Sequence, residues 1–337
     1  MTKQKITSVI LAAGKGTRMK SAKAKVLHEV FYRPMIHHVL DAAMAAGIDH
    51  HAVIIGHQRQ RVQAVLEKYE ITPVVQEEQL GTGHAVLCAE EACRDGDLVM
   101  ILCGDTPLIR PETLRDMIAA HLDHAAAVTL MTTTLDNPFG YGRILSDDQD
   151  LVSAIVEEKD ATDQQRAIRE INAGIYLAET SFLFDALKQV GNNNSQGEVY
   201  LTDIVAIAGR QGRTVRKFVH PEAMDVLGVN SRVELALAHH ELQMRRNREL
   251  MLSGVTIYSP ESVSVAPGID IGRDTIIHPG VHITGSSQVG NECVLGPGCL
   301  LDNCRMGDKV VAGGLSVLHN CTIEDQRRIT PQTMLLG

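Results

Sequence analysis

The sequence carries no surplus of basic charge: 32 lysines and arginines stand against 41 aspartates and glutamates, for a net charge of -9 with histidine neutral. A chain of that balance has little with which to neutralise a phosphate backbone or an anionic membrane, so nucleic acid and lipid are excluded as partners. A small anionic ligand can still be held by a local basic loop. No apolar run approaches the roughly 18 uninterrupted residues of a bilayer-spanning helix. The opening "MTKQKITSVILAAGKG" breaks into glycine too soon for a secretory leader. The seven cysteines are an odd number without Cys-x-x-Cys spacing. That argues against zinc and for a reducing cytoplasm in which thiols serve as small core residues. No Ser-His-Asp or Cys-His constellation stands out either. The pairs His37–His38, His50–His51 and His239–His240 read as helix or strand-edge residues, and Asn192–Asn194 as a polar turn.

What is present falls into two periods. The length of 337 residues allows two domains with proper cores. Up to about residue 228, apolar strand-like runs (Ser8–Ala12, Ala52–Ile55, Thr72–Val75, Leu98–Leu102) alternate with helical patterns (Met35–Ala46, Gln58–Glu67, Gly83–Cys93). This alternation predicts an α/β domain whose parallel sheet is covered by helices, with ligands at the carboxyl ends of strands. Later strands at Val128–Thr134, Arg143–Ile144, Val152–Glu157 and Gly174–Leu177 read as an insertion covering the mouth of that sheet. Ser231–Ser253 has no internal glycine or proline and stops at Gly254, as one long helix does. Beyond it, Val265, Ile271, Ile277, Ile283, Val289, Leu295 and Leu301 recur every six residues. That is the hexapeptide period of a β-helix, one inward aliphatic residue per face. The register slips after Leu301 and is expected to resume at Val311, Val317 and Ile323. The expected domains are therefore 1–229, a linker helix 230–253, and a short β-helix 254–337.

Three motifs carry the chemistry. In "ILAAGKGTRMKSAKAKV" (Ile10–Val26) a buried strand ends in a glycine-rich basic loop. Lys15 and Gly16 stand in the wrong order for a P-loop, and Met19 occupies the place of the third small residue of a dinucleotide fingerprint. Glycine amides can still wrap a phosphate chain, with Arg18 and Lys25 as fork and point charge. A solvated loop would carry the same residues. In "CGDTPLI" (Cys103–Ile109), Asp105 at a strand end suits Mg²⁺ beside a triphosphate, or alternatively a cap for the helix near Pro111. In "QEEQLGTGHAV" (Gln76–Val86), Gln76 and the Gly81–Thr82 turn can read a base edge, or simply start a helix.

These motifs, with "KVLH", "GYGRI", "IVEEKDAT", "EINAGIY", "NNNSQGEVYLTDI" and "GVNSR", run in order from Val9 to Ile323. Together they resemble the pyrophosphorylase half of the bacterial N-acetylglucosamine-1-phosphate uridyltransferase family, whose bifunctional members also acetylate glucosamine-1-phosphate. The resemblance implies a Rossmann-like nucleotidyltransferase domain, a linker helix and a left-handed parallel β-helix. It implies Mg²⁺-dependent uridylyl transfer from UTP to N-acetylglucosamine-1-phosphate. Leu11, Ala12, Ala13 and Gly14 would meet the nucleotide, joined by Gln76, Gly81, Thr82, Cys103 and Gly104. Arg18 and Lys25 would be the catalytic cations. Asp105 and Asn230 would share the metal. Gly142, Glu157, Asn172, Tyr200 and Thr202 would hold the acetamido sugar. It also implies a homotrimer through the β-helix, whose outer faces are expected to carry Val263, Ile269, Val281 and Val294.

Two departures stand out. Cys103 replaces the family's usual tyrosine, and the β-helix runs to about four coils, so acetyl transfer, placed further along in the bifunctional members, is not expected. A related nucleotidyltransferase using another sugar phosphate or dTTP is the nearest alternative.

Overall fold

The computed structural model describes residues 4–337. The chain divides into two compact units, one formed by residues up to 29 with 33–235, the other by 30–32 with 236–337.

The first unit is built on strands β1 (Ile6–Leu11), β2 (His50–Ile55), β3 (Thr72–Val75), β4 (Leu98–Cys103), β5 (Val128–Thr134), β6 (Arg143–Ser146), β7 (Val152–Val156), β8 (Glu170–Glu179) and β9 (Val215–Val219). The main sheet runs β9-β5-β8-β4-β1-β2-β3, with the β6–β7 hairpin attached to β8. Its central strands are buried on both faces, and alternate residues serve opposite cores, as the two-residue period of a strand requires. Val9, Val99 and Ile101 join one cluster with Val86, Leu183 and Ile204, while Ile10, Met100 and Leu102 join another with Ile36, Leu40 and Leu114. Helices α1 (Met35–Ala45), α2 (Arg59–Leu66), α3 (Thr82–Leu87), α4 (Pro111–His124), α5 (Thr180–Leu187) and α6 (Ile204–Arg210) supply the covering layers.

Two expectations need correction. The sheet is mixed, because β8 pairs antiparallel with both β4 and β5. β6 pairs antiparallel with both β7 and β8, so β7 and β8 run the same way, and the link that carries the chain back across β6 holds a single helical turn at Asp163–Arg166. Consequently β5 and β8 are central strands, and only the β6–β7 hairpin extends from the sheet.

A long helix, α7 (Arg232–Leu252), leads into the second unit. Within that unit its buried polar residues satisfy carbonyls of the helical turn at Pro260–Ser262 and its end: Asn247 Nδ2 donates to Pro260 O and Val263 O, both at 2.8 Å, and Gln243 Nε2 to Val263 O at 2.8 Å. Three stacks of two- and three-residue parallel strands follow, the left-handed β-helix. The seven inward residues from Val265 to Leu301 are all buried except Ile271, which is half-buried at the first coil.

Val263, Ile269 and Val281 are also core residues, at 0–1% exposure. Residues two apart in an extended strand share a face, so these positions point inward with the aliphatic column and not onto the outer faces. Val294, one residue out of phase, does face outward and is half-buried. The slip after Leu301 has a defined size. Ile271 pairs with Val289, eighteen residues on, but Val289 pairs with Met306, seventeen on, and Met306 with Ile323. The shortened coil moves the inward column onto Ala312 and Leu318, and turns the expected Val311 and Val317 outward.

That phase gives a test. Leu318→Ala should cost about 2–4 kcal/mol in denaturant unfolding of the β-helix, the range for truncating a buried leucine, whereas Val317→Ala should cost under about 1 kcal/mol. The reverse ranking would put the column back on Val317.

Candidate active site

The pairing of β1 with β4 sets Leu11 opposite Cys103, so the loops leaving both strands begin side by side. Gly104 sits at the tightest point. Its amide donates to Leu11 O at 3.0 Å, and a side chain there would press on that same oxygen and on Val26. Beyond β1, the loop crosses over Lys25 at Gly16, whose φ is +62° and whose missing Cβ would lie 2.6 Å from Lys25 Cβ. Gly16 therefore both turns the chain and leaves the lysine stem room.

Lys25 makes an ion pair with Asp105 and donates to Asn230 Oδ1 at 2.9 Å. Arg18 Nη2 reaches the same Oδ1 at 2.8 Å. The Asn230 amide is oriented by its other end, Nδ2 donating to Gly228 O at 2.9 Å, which turns the oxygen towards the lysine. Backbone contacts hold this segment in place. Val229 N donates to Asp105 O at 2.8 Å, and Gly228 packs so closely that a Cβ would lie 3.1 Å from Asp105 Oδ1. Ser231 and Glu234 form the capping box of α7, with Ser231 N on Glu234 Oε2 at 2.9 Å and Glu234 N on Ser231 Oγ at 3.2 Å. Asp105 makes no cap on α4, whose N-cap residue Arg110 makes no side-chain capping bond to the helix.

These groups stand at a cleft of about 280 Å³ lined by Leu11, Ala12, Ala13, Gly14, Lys25, Gln76, Gly81, Thr82, Cys103 and Asp105. Val26, Ile54, Gln79, Ala85 and Glu198 complete the lining and were not singled out from the sequence. Val26, Gln79, Ala85 and Glu198 lie inside quoted motifs and had a signal. Ile54 read only as a core strand residue. Gln76 is buried and donates to Gly81 O at 3.2 Å, with His84 Nδ1 at 3.0 Å. The Gly81–Thr82 turn does start α3, and it lines the cleft as well. Gly81 has φ +112° and would clash through a Cβ with Val199 O at 2.6 Å, which seats the 198–202 segment against it.

The five residues assigned to the sugar form a neighbouring group. Gly142 O accepts from Asn172 N at 2.9 Å, and a Cβ on Gly142 would approach Glu157 Oε1 to 3.5 Å. Thr202 Oγ1 donates to Glu157 Oε1 at 3.3 Å, and Tyr200 OH accepts from Gln196 Nε2 at 2.8 Å. Burial raises the Glu157 carboxyl above the ordinary carboxylate range, the Thr202 bond and neighbouring acidic charges acting as smaller influences. A bulge in β8 presents Asn172, its Oδ1 accepting Gly174 N at 3.0 Å and its Nδ2 donating to Tyr176 OH at 2.6 Å. Cys103 joins the two groups, its Sγ 3.5 Å from Gly174 O, and burial pushes its thiol up to about 12. It is a packing thiol and not a nucleophile.

The donor set can be tested against a metal. Asp105 and Asn230 direct a carboxylate and an amide oxygen at one point, where the Lys25 ammonium now lies. Two hard oxygens suit Mg²⁺, which takes few protein ligands and completes its shell with phosphates and water. Among the described residues no cluster of three or more His, Cys, Asp or Glu is arranged to hold a metal. No helix among them is long and apolar enough to cross a membrane.

Comparison with known proteins agrees with this layout. A MobA-like NTP transferase domain matches residues 8–172, and a bacterial transferase hexapeptide model of six repeats matches 268–303. The chain is 51% identical over 325 residues to the Bifunctional protein GlmU of Desulfotalea psychrophila, covering 96% of each. It is 44% identical to the GlmU of Pelobacter propionicus, over 98% of this chain and 73% of that protein. For that of Geobacter metallireducens the figures are 50%, 88% and 63%. With identity at this level across both units, the chain belongs to the GlmU family and is a sugar-1-phosphate nucleotidyltransferase.

Proposed function

We propose that the chain transfers UMP from UTP to N-acetylglucosamine-1-phosphate, releasing pyrophosphate, with Mg²⁺ as the required ion. The observation that carries this reading is the meeting of Lys25, Asp105 and Asn230 at the rim of a cleft lined by Gln76, Gly81 and Thr82. In this reading Gln76 and the turn take the uracil, and Ala12–Gly14 the ribose and phosphates. Glu157, Asn172, Thr202, Tyr200 and Gly142 take the acetamido sugar.

The incoming sugar phosphate is already an anion at neutral pH, so no side chain has to remove its proton. The work left to the protein is alignment of that oxygen with the α-phosphorus and neutralisation of charge on the departing pyrophosphate. Lys25 and Arg18 supply cations from one side. Asp105 and Asn230 would hold Mg²⁺, whose chemistry is to polarise phosphate oxygens and offset the charge that builds on them. The Lys25–Asp105 pair then has a second use, because it keeps a half-buried carboxylate paired until nucleotide arrives.

A reducing cytoplasm fits the seven free thiols. A homotrimer through the β-helix is supported by the hexapeptide repeats and by an outward strip of Leu300, Val317 and Met334, of which Leu300 is 44% and Met334 65% exposed. Light scattering on the full chain should give three times the monomer mass. A monomer at micromolar concentration would end that proposal.

A pyrophosphate-release panel of nucleotides and sugar phosphates, with and without Mg²⁺, tests the function. N-acetylglucosamine-1-phosphate with UTP should clearly exceed glucose-1-phosphate in kcat/KM, because a sugar lacking the acetamido group leaves buried polar groups unpaired. Equal rates would move the enzyme to another sugar. Acetyl-CoA consumption is scored in the same panel, since the relatives are called bifunctional.

In that assay Asp105→Ala should nearly abolish turnover, and Lys25→Ala should lower it by roughly 10² or more, the scale for one preorganised charge-stabilising group. Near-normal rates in either folded variant would remove these residues from the reaction.

A further inference from the structure

Four of the seven cysteines lie in the β-helix, and they do not have equivalent surroundings. Cys293 and Cys299 are buried, and each thiol donates to a carbonyl of the next coil, Gly307 O and Gly313 O, both at 3.1 Å. Cys304 and Cys321 face each other instead. The pairing of Arg305 with Thr322 and of Met306 with Ile323 sets Cys304 opposite Cys321 on neighbouring parallel strands. Their sulfurs are 3.5 Å apart. Neighbouring strands lie about 4.8 Å apart, within the Cα separations of about 4.4–6.8 Å that a disulfide spans. Cys304 is 1% exposed, and Cys321 is half-buried, so one thiol of the pair is open to a small reagent.

We propose that Cys304 and Cys321 are a modification site, a thiol pair that a small disulfide such as oxidised glutathione converts into a cross-strand disulfide tying two successive coils together. The Cys321 sulfur, as thiolate, attacks glutathione disulfide and expels one glutathione thiolate, which takes up the Cys321 proton. Cys304 then attacks the Cys321 sulfur of the mixed disulfide and expels the second glutathione, which takes the Cys304 proton. One protein S–S bond replaces the glutathione S–S bond, and the two protein S–H bonds become two glutathione S–H bonds. The protein is oxidised by two electrons, and the reagent is reduced by two.

Burial, with the neighbouring Cys304 thiol, raises Cys321 to about 11. Its thiolate is therefore scarce at neutral pH and the first step is slow, which distinguishes this pair from a fast peroxide sensor. Closing the bridge needs a small approach of two strands already in register, and it restricts the unfolded chain over one coil.

The test uses the full chain equilibrated in reduced or oxidised glutathione, followed by denaturation, alkylation and peptide mass mapping. The oxidised protein should lose two alkylatable thiols and yield one non-reduced peptide joining Cys304 to Cys321. The midpoint of β-helix melting should rise by on the order of 5–10 °C and fall back with dithiothreitol. Cys304→Ser and Cys321→Ser serve as controls expected to fold, because Ser287 and Ser316 are buried at corresponding positions of other coils. Neither should form the cross-link. The proposal is overturned if the wild type keeps all its thiols, if it stops at a stable glutathione adduct on Cys321, or if either serine variant still loses two thiols to a cross-link.

Discussion

Leu11 lies opposite Cys103 in the pairing of β1 with β4, and the loops on both strands inherit their positions from that register. The Gly104 amide closes on Leu11 O, Asp105 emerges beside the loop that ends in Lys25, and Asp105 O receives Val229 N from the far end of the unit. A slip of one residue would turn Asp105 into the sheet and separate three segments that are distant in sequence. The two apolar clusters on the sheet's faces oppose such a slip, because each strand residue is already committed to one core or the other. Hydrophobic patterning in the sheet thus sets the geometry of charges in the cleft.

Those charges are held with little slack. Asn230 accepts from both Lys25 and Arg18, its amide is locked by Gly228 O, and the capping box of α7 fixes its backbone neighbours. Such fixing matters for phosphoryl chemistry, where the enzyme's contribution is alignment and preorganised charge and not a reactive side chain. Two half-buried groups with raised pKa values beside the cleft fit that division. Burial raises the Glu157 carboxyl beside Thr202, and Cys103 packs against the β8 bulge. Neither is placed as a nucleophile.

Much of this was legible in the sequence because it rests on local pattern. The six-residue period announced the β-helix, and "LAAGKGTRM", "GDTPL" and "QLGTGHA" announced the cleft whose lining the structure assembles. What was misread depends on geometry that a motif does not carry. Val263, Ile269 and Val281 look like surface aliphatics when only every sixth residue is counted inward, yet an extended strand turns alternate residues the same way. The single residue lost after Leu301 brings the core onto Leu318 and not the expected Val317, a change too small to register as more than a loosened repeat. The antiparallel course of β8 was hidden because the alternation in "EINAGIY" carries no direction, and only its pairing with β4 and β5 decides it. The roles of Gln79 and Glu198 as cleft lining needed the fold, since neither belongs to a strand or helix pattern.

The central claim is that this cleft works by one direct displacement, with no covalent intermediate and no general base. The stereochemical course of transfer from a single diastereomer of the α-thio analogue of UTP tests it most directly. A single in-line attack by the sugar phosphate predicts inversion at the α-phosphorus in the product sugar nucleotide. Retention would require two displacements through an enzyme-bound nucleotidyl group, for which Lys25, Asp105 and Asn230 as arranged provide no role, and would contradict the account.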